Sequence, residues 1–244
     1  FNVAALAGTV PGYVIDRVMS VRDAVQPLEL AYFFDSIESE GSIVFRHRGD
    51  STWPKVVTAD ACVETRAGDP LYALTRGQET EMPASAKLRF ISAEDTYRQA
   101  VAEARRLTGA SGRVAHADLP MVLDDGLAGG IADSWLFEAW AARERASFTL
   151  PPSSLALEPG DVLQLDVGGR AQDVRVIDIA EHGAREIEAR SIDRDVYGRT
   201  RLPARPVMTS QPVQIGPPAV VFIDLPLIDA SAAATSGYVA ALQK

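Results

Sequence analysis

The residues of this 244-residue chain that could do chemistry are its histidines, its single cysteine, two acidic pairs and a serine pair. His47 lies in Phe45-Arg46-His47-Arg48, His116 in Ala115-His116-Ala117, and His182 just before Gly183. A zinc site or a general base built from histidines needs them at short spacing, as in HExxH, and no two of these are so spaced. They read as surface or structural residues. Asp124-Asp125 and Glu79/Glu81 are the carboxylate pairs that could act as acid and base across a glycosidic bond. Asp124 and Asp125 stand where a helix should start, facing the positive end of its dipole. Glu79 and Glu81 sit beside Pro83 in a polar turn, where solvated charge is the simpler account. Ser153-Ser154 has no neighbouring histidine and no GxSxG elbow. Gly168-Gly169 suits a tight chain reversal, and the phosphate-cradling GxGxxG pattern is absent. Cys62 alone can form neither an intrachain disulfide nor a CxxC site and reads as a small buried thiol. Trp53, Trp135, Trp140, Tyr32, Phe33 and Phe34 could form a carbohydrate platform, but two of the tryptophans lie on a helix that should be buried and the Tyr-Phe-Phe run on an amphipathic one, so core packing is the better account. The sequence therefore nominates no catalytic residue, no cofactor-binding residue and no metal ligand, and the expectation is a protein that is not an enzyme and needs no cofactor.

The elements around these residues are clearer than any chemistry. Residues 155–197 read as three successive strands with alternating apolar positions. Val162, Leu163 and Leu165 follow Pro159-Gly160. Gly168-Gly169 reverses the chain into Val174, Val176, Ile177 and Ile179, and Gly183 turns it into Ile187, Ala189 and Ile192. Asp124-Asp125 opens a helix over about 125–143, whose wide apolar arc (Leu127, Ile131, Trp135, Leu136, Ala139, Trp140) should cross a sheet. Gly129-Gly130 inside it costs about 1 kcal/mol each against Ala, which close backbone approach could offset. Ser20 with Asp23 approximates a capping box before a helix over Val21–Phe34, although Pro27 predicts a kink or a start near Gln26. Ile43-Val44-Phe45 and Val56-Val57 then read as a hairpin. Tyr97–Leu107 reads as a helix from propensity alone. Pro203, Pro206, Pro212, Pro217 and Pro218 mark an extended linker, Ala219–Leu225 a strand, and Ala230–Gly237 a loop of small residues. Leu88-Arg89-Phe90-Ile91 leading to Asp95-Thr96-Tyr97 is echoed weakly by Ile187-Glu188-Ala189-Arg190 leading to Asp195-Val196-Tyr197.

Net charge is 24 − 33 = −9, and the arginines are interleaved with acids, as in Arg143-Glu144-Arg145, so a phosphate-binding surface is not expected. No apolar run approaches the ~20 residues of a transmembrane helix. Both ends read as the interior of a longer polypeptide: Phe1-Asn2-Val3-Ala4-Ala5-Leu6 as mid-fold sequence, and Ala219–Asp224 as the start of a new strand.

The strand meander carries a resemblance. L-x-L-x-P-G-D-V-x-x-L, then R-V-x-x-I, then I-x-A-R-S-I-D-x-x-V-Y resembles the phage-tail domain of the large tail-tip proteins of gene transfer agents and related siphophages, the baseplate hub or tip attachment protein J-like family. GYVIDRVMSVRDAVQPLELAYFFDSIESEGSIVFRHRG (12–49), EMPASAKLRFISAEDTYRQAVAEARR (81–106) and DSWLFEAWAARERASFTLPPS (133–153) are similar to the same family in the same order, so the likeness covers about residues 10–200.

The resemblance implies an α+β, mainly β architecture, with tail-tube or hub-like β-barrel domains carrying one packed helix beside a small helix-and-hairpin subdomain, and it favours strand over helix for Tyr97–Leu107. The expected division is 1–68 for that subdomain, 69–200 for the β-rich tube or hub-like domain with its helix at 125–143, and 201–244 for a linker and the first strand of a following domain. The implied role is structural, in a baseplate hub around a DNA-delivery channel. Implied partners are copies of the chain in a ring, expected to be a trimer, together with the distal tail and other tail-tip proteins. DNA would pass without specific binding, and the host surface would be met by other regions of the full chain. The expected place is the tail tip of a virion-like particle made in the bacterial cytoplasm. Long relatives also carry a glycosidase-like TIM barrel, so an accessory part of a cell-wall glycan hydrolase or a carbohydrate-binding receptor module is the alternative. No repeated βα units of such a barrel occur in this sequence.

Overall fold

The computed structural model describes residues 1–6, 9–50, 56–109, 111–197, 219–223 and 238–242. The chain separates into two units, Phe1–Arg205 and Pro206–Lys244. The first is mainly β with two helices among its described residues.

Helix α1 spans Val21–Tyr32, and the Ser20 hydroxyl accepts a 3.1 Å hydrogen bond from the Asp23 amide. That cap sets the start at Val21 rather than near Gln26, and Pro27 is held inside the helix. Packing of Leu28, Leu30 and Ala31 against a hydrophobic core offsets the backbone bond that Pro27 cannot make. The helix also ends earlier than its apolar pattern predicts. Phe33 adopts a left-handed conformation (φ 51°) and Phe34 opens a strand. Strands β1 (Phe34–Ser39) and β2 (Ser42–His47) form an antiparallel hairpin closed by Glu40-Gly41, both at positive φ. The Ile43–Phe45 segment therefore pairs with β1 and not with Val56-Val57. A left-handed two-residue turn between adjacent apolar runs makes the nearest pairing the available one. Val56–Thr58 is instead strand β3, which runs parallel to a distant stretch, Gln164–Asp166.

Strand β4 (Tyr72–Arg76) is followed by β5 (Pro83–Ser92), β6 (Gln99–Arg105) and β7 (Arg113–Leu123). β5 is central to a three-stranded sheet, antiparallel to β6 and parallel to β7. The stretch with helical propensity is thus strand: Thr96 and Tyr97 at positive φ turn the chain back, and pairing with β5 overrides local preference. Helix α2 (Asp125–Ala141) packs across β5 and β6. Its Ala128, Ile131, Ala132 and Leu136 join Leu88, Phe90, Met121 and Leu123 in one core. The helix starts as expected, with the Asp124 carboxylate accepting a 2.5 Å bond from the Leu127 amide. The glycine expectation is corrected. A Cβ placed on Gly129 or Gly130 meets nothing within 4 Å, so no backbone presses on them.

Strands β8 (Glu144–Leu150), β9 (Val162–Val167), β10 (Arg170–Glu181) and β11 (Arg185–Ser191) complete a six-stranded sheet in the order β3-β9-β10-β11-β8-β4, curled into a half-barrel. The three strands read from 155–197 are β9, β10 and β11, consecutive and antiparallel. Gly168-Gly169, at φ 60° and 76°, makes the two-residue reversal that joins β9 to β10. The inward residues Leu163, Leu165, Val174, Val176, Ile187 and Phe148 form a second core, separate from the first.

In the second unit, β12 (Ala219–Ile223) pairs antiparallel with β13 (Tyr238–Leu242), Ala219 opposite Leu242. The proline-rich linker, the Ala230–Gly237 loop and Trp53 lie outside the described residues.

Candidate functional site

The residues with chemical potential are dispersed over the fold. His47 ends β2, His116 lies within β7, and His182 occupies the β10–β11 turn. Among the described residues, no cluster of three or more His, Cys, Asp or Glu side chains could hold a metal. Asp124 caps α2, and Asp125 accepts a 2.8 Å bond from Ser92 Oγ, so both serve the helix start. Glu79 pairs with Arg143 at 2.9 Å. Ser154 is buried, and its carbonyl accepts from the Arg185 guanidinium. Cys62 is buried with Sγ 3.6 Å from the Thr58 carbonyl, and burial raises its pKa, which makes the thiol a poor nucleophile. Trp135, Trp140 and Phe34 are structural. Trp135 and Trp140 pack on the α2 core, Trp140 Nε1 donates 2.8 Å to the Pro83 carbonyl, and Arg106 stacks 3.8 Å from the Trp140 ring. Phe34 is 5% exposed and meets Phe45 edge-on at 5.8 Å.

What the structure does bring together is a polar seam between the two cores. Arg48, at the end of β2, reaches Asp35 Oδ1 through Nε at 3.0 Å and Glu138 of α2 through Nη1 at 3.0 Å. Arg175 of β10 pairs with the other oxygen of Asp35. Tyr197 donates a 2.7 Å bond to Glu138 and stacks on Phe33 with centroids 5.5 Å apart. Hairpin, helix, sheet and the turn after β11 are thus fastened through one network. Burial alone would lower the Arg48 pKa, but the charges and hydrogen bonds of Glu138 and Asp35 outweigh it and raise it. The Tyr197 hydroxyl is pushed well above its ordinary pKa, first by burial and then by the Glu138 carboxylate. A second fastening lies nearby, where Arg46 bridges Glu158 (3.2 Å) and Asp161 (3.1 Å) while Ser39 donates to Glu158.

The serines of the two echoed segments hold the ends of one helix. Ser92, at the end of β5, bonds Asp125 in the first turn of α2, and Ser191, at the end of β11, donates to the Ala141 carbonyl in its last turn. Beyond that last turn opens a cleft of about 940 Å³. Its charged lining is largely self-paired: Arg76 and Arg170 with Glu144, Arg143 with Glu79, Arg194 with Asp173. The seam residues Asp35, Arg48, Glu138 and Arg175 carry no spacing signal, because their partners lie 90 and 140 positions apart for the Arg48–Glu138 and Arg175–Asp35 pairs. Tyr197 and Arg175 were visible only as members of the family pattern, the last residue of R-S-I-D-x-x-V-Y and the first of R-V-x-x-I.

A curled six-stranded sheet and a helix-backed three-stranded sheet, each with its own core, are joined by charged and aromatic clasps. A family profile of phage tail proteins matches residues 20–179, well over half the chain, and the chain belongs to that family. The resemblance read from the strand meander and its upstream segments is thereby confirmed. In structure the chain is similar to one from the virion of the native gene transfer agent particle. The TM-score is 0.72 at 28% identity, over 80% of this chain and 44% of that one. It shares its fold with the 43 kDa tail protein of prophage MuSo2 from Shewanella oneidensis (TM-score 0.51, 10% identity, 75% of this chain and 57% of that one). The tail protein of Neisseria meningitidis MC58 compares equally (0.51, 11%, 77% and 59%). The chain spans about half the length of these structures. No curated protein matches the sequence. The relatives are components of phage tails or of the gene transfer agent particle.

Proposed function

We propose that this chain is a structural part of the tip of a phage-like tail, a baseplate-hub component around the channel through which DNA leaves the particle. The observation that carries this reading is the 28% identity to a chain of the gene transfer agent virion over 80% of this one, with a TM-score of 0.72. In this reading three copies form a ring, contact the distal tail and other tip proteins, and turn over no substrate, while other regions of the full-length protein meet the host surface. The tip is assembled from protein made in the bacterial cytoplasm. The net charge of −9 supports a lumen that is acidic or neutral, since every cation facing phosphate would add salt-sensitive attraction and hold the DNA it must release. Arg89 paired with Asp118, Arg185 with Glu181 and Arg194 with Asp173 are consistent with arginines that serve the protein and not the DNA. Trp135 and Trp140 pack on the α2 core and Phe34 is buried, so these three residues lend the carbohydrate-binding alternative no support.

The test is a reconstruction of the intact particle. Three copies of this segment on the tail axis, with few arginines facing the channel, is the expected result. A peripheral position, or one or six copies, would overturn the hub assignment. Hydrolysis of peptidoglycan by the purified chain, lost on Asp124→Asn or Glu81→Gln, would overturn the non-enzymatic one.

A further inference from the structure

On the face of the six-stranded sheet turned away from its core, Arg145 of β8 stands directly opposite Arg190 of β11, which in turn stands opposite Arg175 of β10. Side chains so opposed have Cβ atoms about 5 Å apart, and like charges there destabilise a sheet. Arg175 is neutralised by Asp35. Arg145 and Arg190 are exposed and have no carboxylate partner among the described residues. They flank a depression of about 240 Å³ that also takes in the small side chains Ala73, Thr75 and Ser147 of β4 and β8, together with Ile177 and Glu188. Thr75 stands opposite Arg145, and Ala73 opposite Ser147. One pleat further along, Glu188 faces Asp178 on one side and Ser147 on the other, so an acidic band borders the basic one.

Two uncompensated cations kept in register beside a concave, small-residue surface form a site for anions. We propose that Arg145 and Arg190 dock a pair of carboxylates on an acidic polypeptide segment of a neighbouring tail subunit. Two guanidiniums on separate strands span two carboxylates better than one compact anion. A nucleic-acid strand fits poorly, because its evenly spaced phosphates would meet the Asp178–Glu188 band about 7 Å away, two residues along the strands. A polypeptide can place neutral or basic residues over that band. β4 is the outer strand of the sheet, so an extended segment reaches the depression from the side without crossing another strand. The site stands whatever the stoichiometry of the ring.

The experiment follows the arginine Nε–Hε resonances of the 244-residue chain during titration with tetraglutamate, inorganic phosphate or a short DNA duplex. Tetraglutamate is expected to shift Arg145 and Arg190 saturably, about tenfold more tightly than phosphate, with the affinity falling as salt rises. The Arg145→Gln/Arg190→Gln protein should lose the response. Arg190→Glu should lose it too while melting at a higher temperature than the parent, because it replaces a like-charge opposition with an ion pair. The melt reports that the variant is folded. No saturable shift, equal binding of phosphate, or preferential binding of the duplex would each overturn the proposal, as would an Arg190→Glu protein that melts lower.

Discussion

Tyr197 Oη donates a 2.7 Å hydrogen bond to Glu138 Oε1, and through it the turn that follows the six-stranded sheet is tied to the helix that backs the three-stranded sheet. Glu138 also receives Arg48 at 3.0 Å, and Arg48 holds Asp35, so four elements share one carboxylate-centred clasp. Two hydrophobic cores that met only through apolar side chains could slide. A directional, half-buried network fixes their register.

Tyr197→Phe and Glu138→Gln should therefore be coupled. Each alone is expected to destabilise the chain, by about 1 kcal/mol for the lost neutral partner and about 2 kcal/mol for the uncompensated Arg48 contact. The double variant should cost about 0.5–1 kcal/mol less than the sum. Urea denaturation of the four proteins measures the cycle, and strict additivity would mean that the 2.7 Å contact carries no energy.

The same hydroxyl gives a pH signature. Its folded pKa lies above the ordinary value of 10.0. Below that value both states are protonated, and the contribution of Tyr197 to stability is fully present. As pH rises past it, the unfolded chain loses the proton first and stability falls, by up to about 1.4 kcal/mol per pH unit, until the folded hydroxyl titrates as well. Subtracting the alkaline stability profile of Tyr197→Phe from that of the parent should isolate this slope. Parallel profiles between pH 9 and about 11 would refute it.

The sequence made local features readable and left non-local ones hidden. Gly168-Gly169 and the alternation around Val174 and Ile187 specify a meander within thirty-odd residues, and Asp124 announces a helix start, because turns and caps are set by neighbours. The parallel pairing of Val56–Thr58 with β9 could not be read, since its partner lies over 100 residues away. Nor could the early end of α1, where Phe33 takes a left-handed conformation that only the following hairpin makes worthwhile. The charged seam was hidden for the same reason: Arg175 and Asp35 are ordinary surface residues until the fold opposes them.

Gly129 and Gly130 offer a stabilising change. Both lie inside α2, both have open space where a Cβ would go, and neither needs a positive φ. Gly129→Ala should raise stability by about 1 kcal/mol, chiefly by restricting the unfolded chain. Denaturant midpoints of the purified protein measure it. A particle that then assembles poorly, with the chain itself more stable, would assign the bare backbone there to a contact between subunits.

Gly160 should behave in the opposite way. It sits at φ +88° before β9, donates its amide to the Val176 carbonyl at 2.8 Å, and leaves a Cβ position only 2.3 Å from Ile37 Cδ1. An alanine there meets two separate penalties. The left-handed backbone costs about 1–2 kcal/mol for a residue with a side chain, and the clash with a buried isoleucine adds about 1–3 kcal/mol of overpacking. Removing Cδ1 separates them. In an Ile37→Val background most of the steric part should go, leaving only the 3.3 Å approach to Cγ1, and Gly160→Ala should then cost little more than the backbone part. Denaturation midpoints of the single and double variants distinguish the contributions. Equal losses in both backgrounds would show that the hairpin can move aside, and that Gly160 is needed for its dihedral angle alone.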